Sequence, residues 1–304
     1  MKNAWNRIWK ICLALAAPGI VLLLIGLQLG GFRPVSWGSH GAQVLSLHDV
    51  HIDEPSLQPF NAVAIDVRTM NVTIVVSDHF GLQVDATQIY RDVTWENTGG
   101  TLHLTEKSPG GVITFGWNDM RRGQATISLP AGVTLGQVTV SSTTGGITVA
   151  APAKTIRLDS TTGDIGLTGP ADDATLGSTT GDIRVDAITG RLETHTTTGD
   201  INITGPGGDI SAETTTGDIT VTGDARTITL AATTGRVQVS QTTPWDAATY
   251  TLATTTGQIV CNGDGAPQVI GKHAKAATGQ AVADEALRLS ISTTTGDIAV
   301  TLGS

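Results

Sequence analysis

The chain is poor in what most enzymes are built from. Aromatic residues make up 4% of its 304 positions and charged residues 15%, and there are only two cysteines, Cys12 and Cys261. Two cysteines in different segments give neither a disulfide framework nor a metal-ligand spacing. Lys and Arg number 18 against 27 Asp and Glu, which excludes nucleic acid as a partner, since its binding needs clustered cations. Threonine is absent from the first 68 residues and then occurs 48 times. Together with 37 glycines it excludes a long-helix protein, because both residues are poor helix formers. Disorder is excluded too: Val, Ile and Leu are frequent and regularly placed, and charge density is low. No phosphate loop, Ser-His-Asp elbow or Cys/His zinc pattern is visible, so no catalytic residue and no cofactor is assigned and the chain is read as a non-enzyme.

Charge is distributed unevenly. Residues 1–48 contain Lys2, Arg7, Lys10 and Arg33 and no acid, so they carry +4, and the net charge of −9 leaves −13 on the rest. Residues 11–29 read ICLALAAPGIVLLLIGLQL, 19 positions with one polar side chain, Gln28. About 20 apolar residues cross a bilayer as a helix. Basic residues before the run stay cytoplasmic, and Trp5 and Trp9 suit the interface. The expectation is a cytoplasmic stub over 1–10 and one transmembrane helix over 11–31, with the N-terminus inside and the remainder outside a bacterial cell membrane. A cleaved signal peptide would have a shorter apolar core and an A-x-A-like site, and LGGFRPVSW offers none. Residues 32–60 read as an extracellular tether. Its His48, Asp49, His51, Asp53 and Glu54 are taken as solvated residues rather than metal ligands.

From residue 143 onward Thr-Thr-Gly-Asp-Ile or a near variant recurs. Gly145, Gly163, Gly181, Gly199, Gly217 and Gly235 stand 18 residues apart; Gly257 follows after 22, and Gly296 is the last. A fixed short period is the signature of a solenoid. Two and four residues after each glycine the chain is apolar, as in Ile201 and Ile203. Seven and five before it, it is mostly apolar, as in Ile210 and Ala212 or Ile228 and Leu230. A spacing of two within each pair predicts two short strands per unit, each with one apolar face.

The predicted fold is all-β: a β-solenoid with about 18 residues per coil, preceded by the membrane helix. Each coil is too thin to bury its own apolar face and does so by stacking at about 4.8 Å. Glycine is expected to supply a left-handed turn, and the adjacent Asp to bond turn amides. The regular repeats occupy 137–304. Residues 61–136 read as degenerate first coils and hairpins, with Met70 in the glycine's place. Two stretches break the period. One is the Thr243-Pro244-Trp245-Asp246 insertion, and the other is 262–286, where Ala277-Thr278-Gly279-Gln280 reads as an eroded copy.

These turns, the Ile-Ser-Leu-Pro-Ala-Gly segment at 127–132 and the closing Leu-Ser-Ile-Ser-Thr-Thr-Thr-Gly-Asp-Ile resemble the bacterial β-strand-repeat "putative adhesin" family, a domain of unknown function of cell envelopes. The resemblance covers about residues 60–304. It implies a surface-exposed β-helical domain, in some members linked to envelope stress, and carries over no catalytic residue.

Asp164, Asp182, Asp200 and Asp218 fall in one column, about one strand spacing apart in a stack. They read as turn residues, with weak cation binding as the alternative; the calcium repeat G-G-x-G-x-D is absent. The eight threonines two before glycine should face outward. The next outward column, four before glycine, is too mixed for a paired Thr face. Phe115, Trp117, Arg121 and Arg122 combine aromatics with cations in an acidic domain. That loop is either a contact for envelope proteins or an anionic wall polymer, or a hairpin over the solenoid end. The expected function is a membrane-anchored, surface-exposed, non-catalytic module of adhesion or envelope-stress type. The alternative is a β-helical carbohydrate-active enzyme, which would need a cleft of non-repeating acids and aromatics.

Overall fold

The computed structural model describes residues 35–38, 41–44, 47–89, 92–107, 113–115, 123–186, 188–267, 276–280 and 287–303. The membrane helix expected at 11–31 and the stub before it lie outside the described residues. Among those described, no helix is long and apolar enough to cross a membrane. The chain divides into two compact units. The smaller contains an antiparallel three-stranded sheet in which Val35–Gly38 lies between Gly41–Val44 and Ile113–Phe115, with Val35 opposite Val44 and Phe115. The stretch expected as a tether therefore contains strands, and Leu47–Glu54 is itself an edge strand of a larger sheet.

The larger unit holds the repeats. Each coil gives a long strand before its glycine and a short one after it, such as Arg191–Thr198 and Ile201–Thr204 around Gly199. Long strands form one twelve-stranded sheet and short strands another. Successive coils pair in parallel and in register, so Ile183, Ile201 and Ile219 stand side by side. The apolar columns point inward: Leu192, Ile201 and Ile219 are fully buried. Side chains alternate along a strand, so the residue three before glycine shares the inward face of those at seven and five. It is buried in every copy: Ser142, Ser160, Ser178, Thr196, Thr214, Ala232, Thr254 and Thr293.

Spatial order departs from sequence order at both ends. The last repeat, Leu287–Thr295 with Ile298–Leu302, lies between the coils of Gly235 and Gly257 and pairs in parallel with both. This accounts for the 22-residue spacing. The step from Gly235 to Gly257 crosses two strand spacings, and Thr243–Asp246 supplies the extra chain. Ala276–Gly279 is not an eroded coil. It runs antiparallel along the outer edge, with Ala277 opposite Leu252. At the other end, Ala62–Val67 with Met70–Ser77 forms a coil next to that of Gly145, and Thr101–Lys107 and Gly123–Pro130 pair with its far side. Neither the first nor the last repeat in sequence is an edge of the stack; at the far end Ala276–Gly279 covers the long strand of the Gly257 coil, and Ile259–Asn262 is the edge strand of the other sheet.

Candidate functional site

The repeat motif builds one edge of the stack, and its chemistry follows from the backbone groups that a sharp turn leaves over. In the coil of Gly199 the glycine amide donates to Thr216 O at 3.0 Å, and the glycine carbonyl accepts from Thr214 Oγ1 at 3.2 Å. The Asp200 amide donates to Asp182 Oδ1 at 2.8 Å, and the Asp200 carbonyl accepts from Ile183 N at 2.8 Å. All four turn groups are satisfied by adjacent coils. The same bonds recur along the column: Asp164 Oδ1 accepts from Asp182 N (2.9 Å), Asp200 Oδ1 from Asp218 N (2.7 Å) and Asp218 Oδ1 from Arg236 N (2.7 Å). The aspartate was expected to bond turn amides, and the amide is that of the neighbouring coil. In the degenerate coil Asn71 Oδ1 does the same for Gly146 N at 2.9 Å.

Glycine is needed here mainly because backbones approach closely. A Cβ on Gly163, Gly181, Gly199, Gly217, Gly235 or Gly296 would overlap the carbonyl group of the preceding glycine in the stack. Their φ values lie between 147° and 152°, a positive range but more extended than the left-handed turn expected. Met70 stands in the glycine's place in its own coil, and there the substitute device is Glu106. This buried carboxylate accepts from the amides of Arg68 (2.6 Å) and Thr69 (3.0 Å) and from Thr69 Oγ1 (3.2 Å).

The four sequence-selected aspartates are thus brought together, each with one carboxylate oxygen occupied by an amide. Among the described residues no group of three or more His, Cys, Asp or Glu side chains is placed to hold a metal ion. Phe115 lies in the strand Ile113–Phe115, opposite Val35. Trp117, Arg121 and Arg122 lie outside the described residues. His51, from the presumed tether, sits 2.5 Å from Asp85, and this bond and the carboxylate's charge raise the imidazole pKa above its usual value. Asp209 is held below the usual carboxylate range, first by the Thr227 hydroxyl and then by Arg226, whose Nε is 3.2 Å away. Partial burial pushes the Cys261 thiol up to about 11, away from the thiolate form that a nucleophile uses.

Beside the aspartates the outer face of the short-strand sheet carries a shallow trough of about 880 Å³. It opens where Gly146 and Gly166 withhold the side chains that other coils present, and Asn71, Gln124, Asp182, Arg184 and Asn202 rim it. The rim offers amides, carboxylates and a guanidinium, with no aromatic platform. Sequence reasoning missed this trough, the inward hydroxyl column and Glu106. The hydroxyl column was readable as Ser or Thr in seven of eight copies, whereas the trough depends on which coils become neighbours.

The fold and its edge define a β-solenoid of stacked 18-residue coils. Residues 60–301 match the Toastrack family DUF4097, and the chain belongs to it. Among solved structures it is similar to a "putative adhesin" from Bacteroides fragilis, with 14% identity over 84% of this chain and 97% of that one and a TM-score of 0.49. It is also similar to a "putative lipid binding protein" from Parabacteroides distasonis (13% identity, 84% and 96% covered, TM-score 0.42) and to a "putative cell adhesion protein" from Clostridium sporogenes (9%, 85% and 99%, 0.28). The chain matches no curated protein.

Proposed function

We propose that the chain is a membrane-anchored, surface-exposed binding module of the bacterial envelope with no catalytic activity of its own. The observation that carries this reading is the aspartate column. Its carboxylates form the regular acid array among the described residues, and each spends an oxygen on a neighbouring coil's amide. A general acid or nucleophile needs a carboxylate set apart from the scaffold. These ones are the scaffold, so they do not serve the carbohydrate-active alternative. The apolar run at 11–31 is the proposed anchor, with its N-terminus inside, and envelope proteins or an anionic wall polymer are the proposed partners. The aromatic and basic side chains of Phe115, Trp117, Arg121 and Arg122 supply contacts of that kind.

Two experiments test the reading. External protease on intact cells is expected to digest the β domain; full protection there, with digestion only after lysis, overturns the topology. Cross-linking followed by pull-down from intact envelopes is expected to retain a partner, and Trp117→Ala with Arg121→Ala to reduce its recovery. Release of sugar from purified envelope polysaccharide, abolished by Asp200→Asn, would establish the enzyme instead.

A further inference from the structure

The coil of Leu287–Leu302 occupies a slot that the rest of the stack defines without it. The chain leaves the Gly235 coil at Gln241 and reaches the Gly257 coil two strand spacings away. Trp245 fastens that double step. Its ring is buried against Tyr250, with centroids 5.1 Å apart, and its Nε1 donates to Asn262 O at 2.7 Å. A bond from the step before the slot to the strand beyond it sets the width of the slot.

We infer that this slot is a strand-exchange site, which the Leu287–Leu302 coil of a second copy of this chain can fill. The occupant is held by features that recur along the stack. Leu289, Ile291, Ile298 and Val300 fill the inward columns. Thr293 Oγ1 donates to Gly235 O at 3.4 Å, Asp297 Oδ1 accepts from Gln258 N at 2.9 Å, and Gly303 N donates to Gln241 O at 3.0 Å. A second copy presents the same atoms in the same register, so exchange requires no new surface. In sequence 24 residues separate Asn262 from Leu287. Once the strand Ala276–Gly279 leaves Ala248–Thr256 together with the coil, these residues reach roughly 80 Å at full extension, so the coil is then not confined to the slot of its own chain. The balance between insertion in cis and in trans is then set by concentration. Confinement to a membrane surface favours exchange.

Register supplies the test. Ala231 and Ser292 are direct partners on the outer face of the long-strand sheet. In the full chain, with Cys12 and Cys261 replaced by Ser and Val, the double variant Ala231→Cys/Ser292→Cys is expected to form an intramolecular disulfide on oxidation. Chains carrying Ala231→Cys alone and Ser292→Cys alone are then mixed at high concentration, passed through mild denaturant, diluted and oxidised. Exchange gives a covalent heterodimer, in a yield that rises with concentration. The mixture of Thr197→Cys with Ser292→Cys, which are not register partners, should give none. A disulfide within the double variant with no heterodimer at any concentration overturns the proposal. So does failure of the double variant to cross-link, since the slot would then not hold this coil.

Discussion

At the edge carrying Gly199 and Asp200, the amide and carbonyl of both turn residues bond to neighbouring coils, and a side chain on the glycine has nowhere to go. At the opposite edge the connections differ from coil to coil: Ala151-Pro152 in one, Gly205-Pro206-Gly207-Gly208 in another, Gly223-Asp224-Ala225-Arg226 in a third. Gly205 there has φ 62° and open space where a Cβ would stand. One edge fixes the period of the stack because its backbones touch in the same way in successive regular coils; the other has close approaches too, at Gly169, Gly190 and Gly208, but not at Gly205. The other absorbs variation, and it is where the four extra residues before the Gly257 coil were accommodated. Repetition in the sequence therefore marks the edge that holds the coils together, and irregularity marks the edge where the path can change.

The core common to both edges should show the largest effects. Ile201 is fully buried between Ile183 and Ile219. Ile201→Ala is expected to cost roughly 2 to 5 kcal/mol in chemical denaturation. Ile201→Asp would place an unpaired charge mid-stack and break it there. Thr197, two before Gly199, is exposed, and Thr197→Ala should cost under about 0.5 kcal/mol. Equal damage from Thr197→Ala and Ile201→Ala would contradict the inside–outside assignment of the coil.

The two edges are separated most directly by the same substitution made at each. A Cβ on Gly217 would overlap the Gly199 carbonyl group, whose carbon would lie 2.6 Å away, at a φ of 147°. Gly217→Ala should therefore cost about 3 kcal/mol, combining backbone strain with overpacking. Gly205→Ala meets no neighbour and bears only the cost of a left-handed alanine, about 1 to 2 kcal/mol. Thermal melts that place the two variants together would erase the distinction between the edges.

A smaller contrast lies inside the stack. The Thr214 hydroxyl donates to Gly199 O, whereas the buried Thr194 hydroxyl has no hydrogen-bond partner. Thr214→Ala should cost about 1 to 2 kcal/mol, since it leaves a turn carbonyl unsatisfied. Thr194→Val, which keeps the shape and removes the orphan, should stabilise by up to about 1 kcal/mol. Destabilisation by Thr194→Val would mean that its hydroxyl is bonded after all.

The contrast between the edges also explains what could be read in advance. The four apolar columns, the outward Thr column and the aspartate alignment were legible because each repeats at a period that backbone contact enforces. The position of the last repeat was not, because Leu289 and Ile291 fit any slot equally well and the sequence carries no sign of which coils will flank them. The 22-residue spacing was visible, but its cause needed the strand order. Glu106 was hidden for a similar reason: it stands in Thr101–Lys107, the strand beside the one coil where Met70 replaces the glycine, so no column announced it. The trough at Gly146 and Gly166 arises from two absences in adjacent coils, which a search for chemistry-bearing side chains passes over.

The smallest expected effect bears on what the aspartates are for. Asp200 Oδ1 accepts from the Asp218 amide, and the Asp200 amide in turn donates to Asp182. Asn has an oxygen in the same place, so Asp200→Asn should keep the ladder and relieve repulsion between carboxylates about 4.8 Å apart, with a net change under about 0.5 kcal/mol. Asp200→Ala removes the acceptor and leaves the Asp218 amide at an exposed turn to water, which should cost about 1 kcal/mol. A scaffold role predicts this order, with Asn near wild type and Ala below it, and a melting temperature that chelators leave unchanged. A cation role predicts that Asn and Ala are equally harmful, because both lose the charge, and that chelation lowers the melting temperature of the wild type but not of either variant. Three melts with and without chelator separate the two roles. They also decide whether the regular edge is purely structural or a place where a cation binds.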